Sequence, residues 1–252
     1  MKRISLIVPC LNEEEAIPAF KQEIDRVFKE CLEGYAPELI FVDDGSTDRS
    51  LEMIKKMAEH SPEVKFISFS RNFGKEAAIY AGLEAATGDY AAVMDVDLQD
   101  PSSLLPDMLK AIEKEGYDCA GTRRVTRQGE PLLRSFFARA FYKTIHRISD
   151  THIVDGARDY KLMTRPVLEA LLSLKEYNRF SKGLYEWVGF RTKWFEYENV
   201  ERVAGETKWS FFKLFLYSIE GIVAFSTAPL ALASIMGRLL SFISSIPLMC
   251  LT

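Results

Sequence analysis

Short apolar segments alternate with longer amphipathic segments from residue 4 to residue 121, and this alternation constrains the fold more than any other feature of the sequence. We predict five strands, at Ile4–Val8, Leu39–Val42, Val64–Phe69, Tyr90–Met94 and Asp118–Gly121. Helices are predicted between them, around Glu13–Glu33, Asp48–His60, Lys75–Ala86 and Pro101–Glu115. Nearly continuous apolar strands separated by helices are typical of a mainly parallel sheet covered on both faces. The sequence therefore predicts an α/β domain that binds its ligand at the carboxyl ends of the strands.

Composition indicates which class of binding partner and which cellular compartment to expect for this chain. The chain has 252 residues, 48% of them hydrophobic, which is enough for a packed core. Its net charge of -4 gives no electrostatic reason to bind nucleic acid, so no nucleic-acid partner is expected. The four cysteines lack any C-x-x-C spacing and are typical of core residues in a reducing compartment. The first apolar run ends at Pro9 and is too short for a signal peptide, so we expect the main domain in the cytoplasm.

Two later segments leave alternatives open. Pro131–Ser149 has the pattern of a basic amphipathic helix, which is either a surface helix packed on its own domain or an interfacial helix at anionic lipid. Phe211–Thr252 carries only three charges, and Gly221–Gly237 carries none. This tail is either a buried hairpin or a membrane segment. We favour membrane insertion, because the predicted sheet is complete before the tail begins.

Polar residues follow each of the first four strands, and those after the fourth strand indicate a metal site. Asp95 and Asp97 are separated by one residue where the chain leaves a buried strand, and such carboxylates repel unless a cation lies beside them. With Gln99 they form an oxygen-only ligand set that suits Mg²⁺ or Mn²⁺. Such an ion can bridge a diphosphate and neutralise charge on a departing nucleotide. The alternative is that Asp95 or Asp100 merely caps a helix starting at Pro101, and we expect Asp100 to be this cap.

Acidic side chains follow the second strand as well. Asp43 and Asp44 either belong to a plain strand-to-helix turn, with Asp48 as the helix cap, or accept hydrogen bonds from a base or ribose. The sequence contains neither G-x-G-x-x-G after its first strand nor G-x-x-x-x-G-K-[ST], which argues against a Rossmann dehydrogenase and a P-loop NTPase. A bound nucleotide would therefore be held by carboxylates and a metal.

Taken together, the strand-end clusters resemble family 2 glycosyltransferases of the GT-A fold. The motifs that carry this resemblance are Pro9–Glu14, Val42–Ser46, Asp95–Pro101, Gly156–Met163, Arg202–Ser210 and Phe225–Leu230. The third of them is close to the D-x-D-L-Q-D-P form of the polyprenyl-phosphate branch, which includes dolichol-phosphate mannose synthases and GtrB-type bactoprenol glucosyltransferases. The resemblance covers essentially the whole chain and implies a GT-A nucleotide-sugar transferase.

On the donor side, the resemblance implies a nucleotide pocket lined by Pro9, Asn12, Glu13, Asp43 and Asp44. Asp95, Asp97 and Gln99 would gather around the metal and the donor diphosphate. Asp97 would be a catalytic residue, because it would stabilise the leaving diphosphate. Arg202 and Lys208 would close over the same diphosphate.

On the acceptor side, Arg123 and Arg134 match basic positions that approach the acceptor phosphate in related enzymes. The alternative for each of these arginines, and for Arg202, is a solvated surface charge. Asp159 matches a catalytic carboxylate that orients this phosphate or accepts its proton. The alternative for Asp159 is an ion pair with Arg158 or Lys161. A lipid phosphate is already an anion near neutral pH, so no strong base is required, and the three histidines fall in no motif.

The implied activity is inverting transfer of a hexose, glucose from UDP-glucose, to undecaprenyl phosphate at the cytoplasmic face of the bacterial inner membrane. We expect a GT-A domain over residues 1–208, a juxtamembrane amphipathic helix over 209–227 and a partial transmembrane anchor over 228–252. GtrB-type relatives are expected to have two membrane helices, and the sequence leaves room for one at most. A homo-oligomer formed through that region is therefore a possible partner rather than an expected one. The rival functions are transfer to a polysaccharide or other soluble acceptor, and a non-catalytic membrane scaffold.

Overall fold

A sheet of seven strands organises the computed structural model, which describes residues 1–125, 154–198, 219 and 222–249. The strands within these ranges are β1 (Lys2–Cys10), β2 (Tyr35–Asp43), β3 (Val64–Ser68), β4 (Tyr90–Val93), β5 (Cys119–Arg124), β6 (Ala157–Thr164) and β7 (Thr192–Tyr197). Their order across the sheet is β3-β2-β1-β4-β6-β5-β7. All five predicted strands are confirmed, whereas β6 and β7 were not predicted.

The first four strands run parallel to one another, as the sequence predicts. The other half of the sheet is mixed, because β6 lies between β4 and β5 and is antiparallel to both. Strand β7 then adds to the outer edge of β5 in parallel. The prediction of a mainly parallel sheet is therefore correct for one half, and the insertion of β6 changes the other. In the register of β1 with β2, Cys10 lies opposite Asp43, so the loops that follow these strands emerge side by side.

Helices cover both faces of the sheet. They are α1 (Ala16–Cys31), α2 (Ser50–His60), α3 (Lys75–Ala85), α4 (Leu105–Glu115), α5 (Arg165–Ser173), α6 (Ser181–Trp187) and α7 (Ala228–Met249), with a 3-10 turn at Ser102–Leu104. All four helices predicted between the first five strands are confirmed, with ends shifted by a few residues. Successive side chains of β1 point to opposite faces of the sheet, so a hydrophobic core forms on each face. Leu6 and Val8 belong to the first core, with α1 and α4, and Ile7 belongs to the second core, with α3, α5 and α6.

Helix α3 lies unusually close to β1, because Gly82 has no side chain at the contact. A Cβ at that position would lie 2.3 Å from Cγ2 of Ile7, well inside contact distance. Burial of the α3 residues Ala78, Ile79 and Leu83 holds the helix against the sheet. This close packing places the first residue of α3, Lys75, at the edge of the sheet where the strand-end loops gather.

The tail begins against the α/β domain and then leaves it. The ring of Phe225 packs on the second core, with its centroid 6.2 Å from that of Phe180 and 6.3 Å from that of Trp187. Helix α7 follows, and its side chains at Leu232, Leu239 and Phe242 are each more than half exposed. Within the described ranges, no helix has the length and apolar character needed to cross a membrane.

Candidate active site

The loops after β1 and β2 are joined by a set of hydrogen bonds centred on Asn12. The backbone N–H of Asn12 donates to Oγ of Ser46 at 2.9 Å, and its side-chain Oδ1 accepts from the N–H of Thr47 at 2.7 Å. The next N–H, of Glu13, donates to Oγ of Ser50 at 2.7 Å. Asn12 has a φ of 52°, in the left-handed region that asparagine tolerates better than most residues. These hydrogen bonds join the two segments into one rim, which carries Asn12 and Glu13 of the predicted nucleotide pocket.

Asp43 and Asp44 lie at the end of β2, and both are buried. Oδ1 of Asp43 accepts from the N–H of Ser46 at 3.3 Å, which closes the turn after the strand. Asp44 accepts from the N–H of Phe73 at 2.6 Å and from the N–H of Gly74 at 3.0 Å. Burial raises the pKa of Asp44, although these backbone N–H groups oppose the shift. Both carboxylates thus order the rim of the site.

The loop after β4 carries Asp95 and Asp97 to the same edge of the sheet. Asp97 is 6% exposed, and its Oδ1 accepts from the N–H of Gln99 at 3.1 Å. Leu98, which lies between Asp97 and Gln99, has a φ of 55°, which is uncommon for a leucine. Such strained residues cluster at functional sites, because surrounding contacts must hold them. The loop that carries both carboxylates is therefore held in one shape at this edge of the sheet.

Lys75 joins two of the predicted site residues. Its Nζ lies 2.6 Å from Oδ1 of Asp95 and 2.5 Å from Oδ2 of Asp159. Burial alone would disfavour the charged form of Asp159, but the charges of Lys75, Lys182 and Arg158 hold the pKa of that carboxyl well below its usual range. Asp159 is therefore an ionised carboxylate, and a weak proton acceptor near neutral pH.

A second cation, Arg158, lies on the other side of Asp95. Its Nε donates to Oδ1 of Asp100 at 3.0 Å, and its Nη2 lies 3.9 Å from Oδ2 of Asp95. The hydroxyl of Tyr197 also donates to Asp100, and burial together with this carboxylate raises the pKa of the tyrosine. Neither Asp95 nor Asp100 caps a helix at Pro101, because the first helical turn begins at Ser102 without a side-chain cap. Asp100 instead ties the loop after β4 to β6 and β7.

Asp159 forms an ion pair, but not with the residues that the sequence predicts. Its close partner is Lys75, rather than the Arg158 or Lys161 of the ion-pair alternative. Lys161 is buried on β6, where it lies 3.3 Å from Glu186 and packs over the rings of Tyr185 and Trp194. Lys75 itself was missed as a site residue, although its position in the polar cluster after β3 is a signal that could have identified it.

The predicted acceptor-side arginines are only partly described. Arg123 lies on β5, and its guanidinium pairs with Glu196, its partner in the register with β7. Its Nε is buried and makes no hydrogen bond with the parts of the chain that the structure describes. Arg134, Arg202 and Lys208 lie outside those parts, so their predicted contacts with phosphate groups stay predictions.

The residues of the loop after β4 fit a metal only if a ligand shares it. No group of three or more His, Cys, Asp or Glu residues that could hold an ion occurs in the described ranges. Proteins commonly bind Mg²⁺ through one or two carboxylates together with substrate phosphates. The carboxylates of Asp95, Asp100 and Asp159 lie here against the cations Lys75 and Arg158, and Asp97 is on the same loop as Asp95 and Asp100. Carboxylate oxygens at this edge of the sheet suit a divalent ion that a diphosphate also binds.

Comparison with known proteins identifies the family. Residues 5–172 match the model described as glycosyl transferase family 2. The chain belongs to this family. It is 43% identical to a Bacillus subtilis protein named as a glycosyltransferase, CsbB, over 96% of this chain and 73% of the relative. It is 41% identical to the bactoprenol glucosyl transferase of Shigella phage SfV, over 96% of this chain and 78% of that relative.

A solved structure supports the fold of this family 2 glycosyltransferase. Glucosyl-3-phosphoglycerate synthase from Mycobacterium tuberculosis, in complex with Mn²⁺, UDP-glucose and phosphoglyceric acid, superposes with a TM-score of 0.52 and 21% identity. The match covers 86% of this chain and 76% of the synthase. The predicted GT-A α/β fold is therefore confirmed. At this level of identity, the likeness concerns the fold and not the substrate.

Proposed function

We propose that this glycosyltransferase moves glucose from UDP-glucose to undecaprenyl phosphate, with inversion, at the cytoplasmic face of the bacterial inner membrane. The observation that carries the proposal is the acidic cluster after β4, in a chain that aligns over 96% of its length with a relative named bactoprenol glucosyl transferase. The relative's name supports glucose as the sugar and a bactoprenol carrier as the acceptor.

The donor side of the proposed reaction needs a divalent metal, Mg²⁺ or Mn²⁺. When bound, the ion supplies positive charge to the departing diphosphate. Asp95, Asp97 and Gln99 are the residues proposed to hold it, with the diphosphate oxygens as further ligands. The proposed nucleotide pocket consists of Pro9 near the end of β1, Asn12 and Glu13 in the loop after it, and Asp43 and Asp44 at the end of β2. The hydrogen bonds of Asn12 and Glu13 hold the loop after β1 against the segment that follows β2.

On the acceptor side, Asp159 is proposed to orient the lipid phosphate rather than to take its proton. Lys75 keeps this carboxylate ionised and lowers its pKa, which makes it a poor base. The lipid phosphate is already an anion, so the reaction needs in-line placement more than proton removal. Arg123 and Arg134 are proposed to attract that phosphate, and Arg202 with Lys208 to close over the diphosphate.

The first test is an assay of nucleotide-sugars against acceptors. Purified protein with Mn²⁺ should transfer glucose from UDP-glucose to undecaprenyl phosphate, and GDP-linked and other UDP-linked sugars should be turned over at least about tenfold more slowly. Undecaprenol, which lacks the phosphate, is the matched control and should not be a substrate. Equal glycosylation of undecaprenol or of a soluble sugar would contradict the proposal and favour a soluble-acceptor transferase.

Membrane attachment is proposed for the tail. The domain assignment is a catalytic domain over residues 1–208, an amphipathic helix over 209–227 and an anchor over 228–252, through which a homo-oligomer could also form. The exposed apolar side chains of α7 support this assignment, because water would otherwise hydrate a large apolar surface. The acceptor's chain cannot leave a bilayer cheaply, at ~0.8 kcal/mol for each exposed CH₂ group, so its phosphate must be met at the headgroups.

The second test removes α7 and leaves the rest of the chain. Deletion of residues 228–252 keeps Phe225, whose ring packs on the second core, and so spares the α/β domain. We expect the protein without residues 228–252 to move from the membrane fraction to the soluble fraction. Turnover of undecaprenyl phosphate should fall far more than turnover of a short, water-soluble phosphate analogue.

A full-length variant tests whether the effect of the deletion comes from the apolar surface of α7 rather than from the absence of the helix. Leu232→Ser, Ile235→Ser and Leu239→Ser together should reproduce the deletion, whereas Ser234→Ala on the same helix should behave like the parent protein. An unchanged membrane fraction, or an equal loss of turnover on both acceptors, would show that α7 does not attach the enzyme to the membrane.

A further inference from the structure

Lys75 occupies the position on Asp95 where a divalent cation would approach. Asp44 fixes the backbone just before it, by accepting hydrogen bonds from the N–H groups of Phe73 and Gly74. The close packing of Gly82 on β1 holds the rest of α3. The ammonium of Lys75 is thereby brought within 2.6 Å of Oδ1 of Asp95 and 2.5 Å of Oδ2 of Asp159.

Both oxygens of Asp95 face positive charge. Oδ1 is in contact with Lys75, and Oδ2 lies 3.9 Å from Nη2 of Arg158. Arg158 is held mainly by another residue, because its Nε donates to the buried carboxylate of Asp100 at 3.0 Å. Lys75 is the more displaceable of the two, since it has a flexible stem and a second carboxylate, Asp159, on which it can remain.

We infer that Lys75 is a positioning residue that competes with the divalent cation for Asp95, so that the metal enters together with the donor diphosphate. The inference rests on the proposed metal requirement. Without a sugar donor, Asp95 is paired with the ammonium of Lys75, and this ammonium repels a divalent cation that approaches the carboxylate. A diphosphate gives the metal further oxygen ligands, which compensate for the loss of the Asp95–Lys75 contact. Lys75 then stays on Asp159 and keeps that carboxylate in place.

Binding of Mn²⁺ alone tests the inference without any transfer reaction. MnCl₂ would be titrated into the full-length protein with no nucleotide present, and free Mn²⁺ measured by its electron paramagnetic resonance signal. Lys75→Met removes the charge and keeps much of the stem, so we expect it to bind Mn²⁺ at least about tenfold more tightly than the parent. The kcat for glucose transfer should fall in the same variant, because Asp159 loses its closest ion pair. A variant that is merely misfolded cannot show tighter binding and slower transfer together.

Three further variants complete the design. Lys75→Arg keeps the charge and should bind Mn²⁺ within about twofold of the parent. Lys182→Met removes a nearby charge that acts on Asp159 from α6, and should also leave Mn²⁺ binding within about twofold of the parent. Lys75→Gln is a second neutral variant for the case in which Lys75→Met does not fold, which thermal unfolding would reveal.

The outcomes distinguish this inference from the proposed function. Tighter Mn²⁺ binding by the neutral Lys75 variants supports the competition. Equal or weaker binding, or binding by neither protein, overturns it, even where the parent still transfers glucose with Mn²⁺. Full glucose transfer in excess EDTA would instead contradict the metal requirement of the proposed function. Transfer to another acceptor, with Mn²⁺ binding changed as expected, would overturn the proposed acceptor alone.

Discussion

Replacing Asp97 with alanine should lower kcat for sugar transfer by about 100-fold or more, because the departing diphosphate loses the group proposed to hold its counter-ion. Asp97 is 6% exposed, and the N–H of Gln99 fixes its Oδ1 at 3.1 Å, so its position is set before any ligand arrives. Fixed charge of this kind stabilises a transition state without reorganisation at the moment of reaction. Initial rates at saturating donor and acceptor, with Mn²⁺ in excess, measure the effect.

Two controls separate loss of the metal ligand from loss of structure. Asp97→Asn keeps the shape of the side chain and should lose most of the same activity, while its unfolding temperature stays close to that of the parent. Asp107→Ala removes an exposed carboxylate in the first turn of α4 and should leave kcat unchanged. Parent-level activity of Asp97→Ala, or full activity of the parent in excess EDTA, would exclude a metal at this loop.

The strand-end residues could be predicted because topology alone brings them together. In a parallel sheet, the carboxyl ends of neighbouring strands share one edge, so residues after β1, β2 and β4 must meet there. Cys10 opposite Asp43 and Ile7 opposite Val93 are the register pairs that realise this. Local periodicity was sufficient, because these strands are buried on both faces and are nearly continuous in apolar residues.

Strands β6 and β7 could not be predicted from local pattern. Strand β6 contains Arg158, Asp159 and Lys161, and three charges in eight residues do not resemble a buried strand. They are tolerated because each has a partner from a distant part of the chain. The partner of Asp159 is Lys75 on α3, and the partner of Lys161 is Glu186 on α6. Such pairings depend on long-range packing, which hydrophobic periodicity does not report.

The same limit explains why single residues of the site were assigned incompletely. The sequence predicts Asp100 as a helix cap, but its neighbours in space are Arg158 on β6 and Tyr197 on β7, which reach it only when these strands join the sheet. Arg123 was predicted from resemblance as a phosphate ligand, and the structure adds its pairing with Glu196 across β5 and β7. Residue type and strand-end position thus predict which edge of the sheet carries the chemistry, but not which charges compensate one another.

Gly45→Ala should destabilise the protein by roughly 2–5 kcal/mol, because two costs combine at this position. Gly45 has a φ of 73°, where an L-residue costs about 1–2 kcal/mol. A Cβ there would also lie 2.6 Å from the backbone carbon of Arg71 and 2.8 Å from the backbone nitrogen of Asn72. Backbone atoms cannot rotate away as a side chain can, so the loop after β2 must separate from the loop after β3, and overpacking of this kind costs about 1–3 kcal/mol.

Gly116→Ala is the matched control for this prediction, because the two glycines differ only in their surroundings. Gly116 ends α4 with the same φ of 73°, and a Cβ there would meet nothing within 4 Å. Thermal unfolding of both variants against the parent should give the smaller shift for Gly116→Ala, by about 2–4 °C for each kcal/mol of difference. Gly45→Ala should also weaken binding of UDP, since the displaced loops carry Asp44 and the proposed nucleotide pocket. Equal shifts of the two variants would show that φ alone, and not the contact of the two loops, requires glycine at position 45.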